Sequence, residues 1–219
     1  MEVTMARNQS VKDNFNYNNI EKKDKNFMYK NLERSNCYNC DFSGSKFDYV
    51  SFRGAHFKSS DFFKCSFKYT EFIGTNLKDS EFRSAVFENA IFDSAKLEGA
   101  NFKDAEFINT IFLSTDLSSV KNLDINSSGI RIFNEMPPLE ISKELKNAVL
   151  KAMENKYIKK ARVLDTKDGG LNNLNIMILL ENFDQETIIK GLELINAQLD
   201  REFYTLSYII RFLQNMMRA

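Results

Sequence analysis

The sequence predicts a mainly β chain: a coil of short extended segments that turns a corner every five residues, followed by a small helix-rich α+β module. Three observations predict it. A large apolar residue recurs, with one exception, at every fifth position from Leu32 to Leu117. A small residue recurs two positions before it. Beyond Val120 the pattern stops, and apolar residues fall at spacings of three and four instead. Composition agrees, because 20 Phe and no Trp in 219 residues describe one kind of position filled many times.

The large series runs Leu32, Cys37, Phe42, Phe47, Phe52, Phe57, Phe62, Phe67, Phe72, Leu77, Phe82, Phe87, Phe92, Leu97, Phe102, Phe107, Phe112, Leu117. Cys37 is its one member that is not large. The small series runs from Ser35 to Thr115 and is broken in size only by Val50. A period of five suits neither a helix nor a long strand. In a short extended segment, however, residues two apart point the same way. Each side therefore sends one large and one small residue inward, and the corners take Gly, Asn, Asp and Ser. Leu77, Leu97 and Leu117 lie 20 apart, as do Tyr49 and Tyr69, and Gly54 and Gly74. Four sides per turn put each of these sets in one column.

Segments such as Ala95-Lys96-Leu97-Glu98-Gly99 and Ala100-Asn101-Phe102-Lys103-Asp104 carry the repeat in full. From Leu32 to Ser119 this pattern resembles the pentapeptide-repeat family. The resemblance implies a right-handed quadrilateral β-helix. Its 18 repeats make about four and a half turns, a rod on the order of 20 Å long. The expected organisation is an N-terminal tail and cap over 1–26, the β-helix over 27–120, a connector over 121–141 and the helix-rich module over 142–219.

Within the module, Ser142 is expected to cap a helix from Lys143 to about Lys159. Asn172 to Leu180 reads as a buried strand, with Lys167 to Gly170 as the loop before it and Ala161 to Asp165 as its partner. The two carboxylates and the glycines of Asp165–Gly170 read as a turn, with a catalytic or phosphate loop as the alternative. Asp184 is expected to cap a helical stripe through Ile188, Leu192, Ile195, Leu199, Phe203, Leu206, Ile210, Leu213 and Met217, carried by one long helix or two. Alternation at Tyr204, Leu206, Tyr208, Ile210 and Phe212 offers a strand as the rival reading.

The net charge is zero, which gives no global argument for binding nucleic acid or an anionic membrane. No apolar run reaches 18 residues, and Met1 to Asn26 lacks the apolar core of a secretory signal. The expectation is a cytoplasmic protein with no membrane contact and no direct nucleic-acid binding. Cys37 and Cys40 have a C-x-x-C spacing, and Cys65 is the third cysteine. The repeat register turns all three inward, so packing is expected rather than zinc or redox chemistry. His56 is the only histidine and faces outward. No nucleophile elbow, phosphate loop or metal-ligand spacing is present, and no cofactor, metal or catalytic residue is expected.

Two outer features suggest binding. Asp41, Asp61 and Glu81 lie 20 apart and stack as a carboxylate column. This reads either as a partial imitation of the DNA phosphate backbone or as a turn preference neutralised by Lys64, Arg83 and Lys103. Charge divides unevenly: 27–70 has seven basic and four acidic residues, while 71–120 has four and nine. The second feature is apolar. Ile73, Ile91, Ile111 and Leu113 all point outward from one side, with Val86 and Ile108 beside them on the next. They form either a partner or dimer interface, or the seat of the chain's own C-terminal module. The expected function is a non-catalytic protein-interaction scaffold that oligomerises through its C-terminal module, with a homodimer as the candidate assembly. The alternative is a DNA-mimicking binder of DNA gyrase or topoisomerase that gives quinolone protection. With the quinolone-resistance members of the family this chain shares the uninterrupted coil and the carboxylate column. It departs from them in its zero net charge and in having no loops that project from the coil.

Overall fold

The computed structural model describes residues 15–218. A parallel β-solenoid of about six turns carries a region of five helices at its C-terminal end. The strands are short: β1 (Asn16–Asn18), β2 (Asn36–Tyr38), β3 (Ser66–Lys68), β4 (Glu71–Ile73), β5 (Val86–Glu88), β6 (Ile91–Asp93), β7 (Glu106–Ile108), β8 (Thr110–Leu113) and β9 (Ile130–Phe133). Every pairing is between residues 20 apart, as in Phe67 to Phe87 to Phe107 and Phe72 to Phe92 to Phe112. Parallel bridges at the remaining sides, such as Asp41 to Asp61 to Glu81, complete the four-sided turn.

The period follows from three local devices. Large central residues stack on their counterparts one turn away, with Phe47, Phe67 and Phe87 at ring separations of 5.4 and 5.0 Å and nearly parallel planes. Neighbouring columns meet edge-on or tilted, the arrangement that ring quadrupoles favour. Small inward hydroxyls donate to the preceding turn, as Thr70 Oγ1 does to Phe47 O (2.8 Å) and Ser80 Oγ to Phe57 O (2.8 Å). Cys65 occupies the same kind of slot, with Sγ 3.1 Å from Phe42 O. At the corners, every fifth residue from Asn19 to Ser114 has positive φ. This costs least for Gly, Asn and Asp. Asp and Asn before the central residue accept from the amide two positions on, as Asp61 does from Phe63 (2.8 Å).

All three cysteines are buried. Burial pushes the Cys37 thiol up to about 12 and the Cys65 thiol higher still. A thiol held protonated is a poor nucleophile.

The coil is longer than the repeat phase indicates. Residues 15–26, assigned to tail and cap, form part of an earlier turn: Tyr17 pairs with Cys37, Glu21 with Asp41, and Phe27 is buried. Lys22 holds the central position there, its ammonium 5.0 Å from the Tyr17 ring centre, so the apolar series is interrupted although the turn is not. Residues 1–14 lie outside the described part. At the other end, residues assigned to the connector make a last turn, with Lys121 bridging Asn101 and β9 pairing with β8. Gly129 permits that turn, because any Cβ there would collide with the Phe107 carbonyl.

The module comprises α1 (Lys143–Ala152), α2 (Lys156–Ala161), α3 (Asn173–Asn182), α4 (Gln185–Gln198) and α5 (Ser207–Met216). Ser142 caps α1 through the Leu145 amide and Asp184 caps α4 through that of Thr187, both as expected. The first helix ends earlier than expected, because Asn155 caps a separate α2. Of the stripe after Asp184, Ile188, Leu192 and Ile195 lie on α4 and Ile210 and Leu213 on α5, whereas Leu199, Phe203 and Leu206 fall in the segment between the two helices; the rival strand does not form. The expected buried strand over Asn172 to Leu180 is helix α3, capped by the Asn172 side chain. It is apolar on both flanks because it is covered on both. Ile176 and Leu179 enter the module's core, whereas Leu174, Met177 and Ile178 pack on the coil. Ala161 to Asp165 forms no strand; only Asp165 bridges Leu171, across the turn.

Candidate interaction faces

The carboxylate column is real and longer than three residues. Glu21, Asp41, Asp61, Glu81, Asn101 and Lys121 stack by successive parallel bridges. Its charge is largely answered. Lys23 meets Asp41 at 2.9 Å, and Arg83 lies 3.7 Å from Asp61 and 3.3 Å from Glu81. Asn101 donates to Glu81 at 2.8 Å. Of the expected neutralising residues Arg83 serves, but Lys64 lies over the Phe63 ring (5.0 Å) instead, and Lys103 makes no ion pair among the described residues. Burial raises the Asp61 carboxyl, and its neighbours Asp41 and Glu81 push the same way. Burial also opposes ionisation of Asp41, but the Ser43 hydrogen bonds and Lys23 outweigh it and hold that carboxyl low.

The apolar residues separate into two groups. Ile91, Ile111 and Leu113 are buried beneath α3, against Leu174, Phe133, Met136, Met177 and Ile178. They are therefore an internal seam and not a free face, which corrects the partner or dimer interface reading for these three. Ile73 and Val86 are half-buried, and only Ile108 is well exposed. The helices fold back along this side. Arg53 Nη2 donates to the Arg162 carbonyl (3.2 Å) and Arg131 Nη1 to Glu181 (2.6 Å). Arg211 reaches the Tyr29 hydroxyl (3.0 Å) and lies over the Tyr29 and Tyr49 rings. Tyr29, Tyr49 and Tyr69 form the stacked column that the 20-residue spacing predicts, extended by one member.

Glu71 was not among the expected sites. It holds an outward position in the column of Ile91 and Ile111, yet only 2% of it is exposed. Its Oε1 accepts the Leu206 amide at 2.7 Å. Burial pushes its carboxyl up to about 7, against the opposing pull of the Leu206 amide and Arg53. The available signal was a carboxylate in a column whose later members are isoleucines.

The other candidates are quiet. His56 is exposed, between Asn36 and Asn76 in its column. The Asp165–Gly170 run is a turn, closed by the Thr166 amide on the Gly170 carbonyl (2.8 Å) with Gly169 at φ 85°. Among the described residues no cluster of His, Cys, Asp and Glu could hold a metal ion. No described helix is long and apolar enough to cross a membrane.

A parallel solenoid with one large and one small inward residue per five defines a class of repeat coil. Profiles of pentapeptide repeats match residues 31–63 and 67–111, with eight and nine copies. Over these residues the coil is a run of pentapeptide repeats. Similar solved structures include a pentapeptide repeat protein of the Arabidopsis thaliana thylakoid lumen, at 17% identity over 68% of this chain and 80% of that one (TM-score 0.36). Rfr23 of the cyanobacterium Cyanothece 51142 is 15% identical over 56% and 87% (TM-score 0.32). QnrB1, a plasmid-mediated fluoroquinolone resistance protein, is 16% identical over 63% and 87% (TM-score 0.17). These likenesses concern the repeat coil and carry no argument about function. No curated protein matches the chain.

Proposed function

We propose that the protein is a non-catalytic interaction scaffold that presents columns of outward side chains on a coil and self-associates through its helical module. One observation supports this above the others: the helices cover a single side of the coil. The columns of the other sides, at the fixed spacing of the parallel turns, stay open to a protein partner. Self-association draws on apolar side chains that the module leaves exposed, Leu150, Leu194 and Met217. Light scattering on a gel-filtration column is expected to give a dimer mass in the micromolar range. A monomer mass throughout that range would refute self-association and leave the scaffold reading in place.

A second reading is the gyrase-binding DNA mimic, favoured by the unbroken stack of Glu21, Asp41, Asp61 and Glu81. Against it stand the Lys23 and Arg83 contacts and the zero net charge. The test is a gyrase supercoiling assay with and without a quinolone. The DNA-mimic reading expects inhibition or drug protection at micromolar protein, abolished by the triple variant Asp41→Asn, Asp61→Asn, Glu81→Gln. No effect of the parent protein, or an unchanged effect of the variant, would remove this reading.

A further inference from the structure

We propose that the helical module is a proton-sensitive cover: Glu71 clasps the start of α5 to the coil, and loss of the Glu71 proton loosens the module and uncovers Ile91, Ile111 and Leu113. The inference stands whichever partner the coil holds.

The clasp is visible in the geometry. Helix α5 has no side-chain cap of its own; the Glu71 carboxyl of the coil takes the Leu206 amide instead. The two groups are 135 residues apart in the chain, and both are buried. The other carboxyl oxygen, Oε2, has no protein partner. A small cavity of about 40 Å³ opens beside Glu71, bounded by Ile91 and Ile111 below and by Ile178, Leu206 and Ile210 above. Arg131, at its rim, leaves Nε and Nη2 without partners while Nη1 binds Glu181. The contact between coil and helices is thus part dry apolar packing and part incompletely paired polar groups. A contact of that kind holds less strongly than a closed core.

The charged groups around Glu71 set the sign. From α5 come the Leu206 amide and the Ser207 hydroxyl, and the amide favours the anion. From the coil, Arg53 favours the anion, whereas Glu33 and Asp93 oppose it. Arg131 is paired with Glu181, and Tyr69 also lines the cavity. Burial outweighs the favourable contacts. The docked module therefore retains the Glu71 proton up to about pH 7, against an ordinary value of 4.5 when the group faces water. Docking is strongest below the ordinary value, weakens as pH rises from 4.5 to about 7, and is level above it. The neutral acid keeps an acceptor for Leu206 and buries no charge; the anion must stay charged in the same place.

Hydrogen exchange on the full chain tests this, at about pH 5.5 and about pH 8, with rates corrected for the intrinsic effect of pH. Protection of the Leu206 amide and of α5 is expected to fall by roughly ten- to a hundredfold at the higher pH. The amides of β3 and β5 should keep theirs, which separates release of the module from unfolding. Glu71→Gln keeps an acceptor but does not titrate, so its α5 should exchange alike at both values. Equal protection of α5 in the parent protein at both pH values would overturn the proposal, and so would the same loss in Glu71→Gln. An NMR titration of the Glu71 carboxyl gives an independent reading: a midpoint in the ordinary carboxylate range also overturns it.

Discussion

Phe67→Ala is expected to destabilise the coil by about 3–5 kcal/mol, the usual cost of deleting a fully buried aromatic ring. Phe67 has no exposed surface and lies midway along its column. Its ring stacks on Phe47 and Phe87 and meets Phe52, Phe62, Phe72 and Phe82 at 5.3 to 6.4 Å. The cavity cannot close by a shift of the chain, because hydrogen bonds to the turns on either side fix the backbone. In a repeat array each turn touches only its neighbours, so a defect in the middle weakens two interfaces together. Phe107→Ala removes the same ring from the last position of that column. There the ring is only partly buried and stacks on one side alone, against Phe87. It should cost distinctly less. Urea unfolding of both variants decides the matter. Equal costs, or the larger cost at Phe107, would mean that the ring columns do not carry the coil's stability.

The coil was legible because its determinants repeat. Each turn states again that Phe stacks on Phe, that a small residue must fit inside, and that Asn, Asp, Ser or Gly turns the corner. A single exception does not erase the rule, so Cys37 and Val50 do no harm to the reading. The ends were less legible for the same reason. Lys22 fills a central position with a cation over a tyrosine ring. Nothing in its identity says that the turn continues beneath it. At the other end, Leu123 packs against the last turns out of the five-residue phase, and Ile130 puts a large side chain where its partner one turn back is the small Thr110.

In the module the sequence spoke once per element. Caps at Ser142 and Asp184 were readable, since one side chain and one amide suffice for each. The Asn172 to Leu180 run was not, because an apolar stretch buried on two flanks lacks the one-sided pattern that marks a helix. Glu71 was hidden by a further step. Its burial depends on α5, a segment more than a hundred residues away, folding back onto the coil. Local pattern holds no information about that contact.

Leu113→Asp is expected to detach α3 from the coil, at a cost of several kcal/mol for an unpaired carboxylate placed in a dry seam. Leu113 is 1% exposed and packs in the cluster of Ile91, Ile111 and Leu174. Its register partner one turn back is Asp93, whose carboxyl burial already raises. An aspartate at 113 would therefore face a like charge as well as lose its apolar contacts. The strand itself should survive, because the outward side chain takes no part in the hydrogen bonds of β6, β8 and β9. Hydrogen exchange should show α3 and α5 losing protection while the strands keep theirs, and the thermal transition of the module should move below that of the coil. Ile108→Asp is the matched control. Ile108 is likewise an outward apolar residue near the end of the coil, but it is 50% exposed and outside the seam. It should leave both transitions where they are. Parallel behaviour of the two variants would mean that the seam does not hold the module. From the sequence Ile108 and Leu113 are equivalent outward apolar residues, and the difference between them comes wholly from the helix that folds back over one of them.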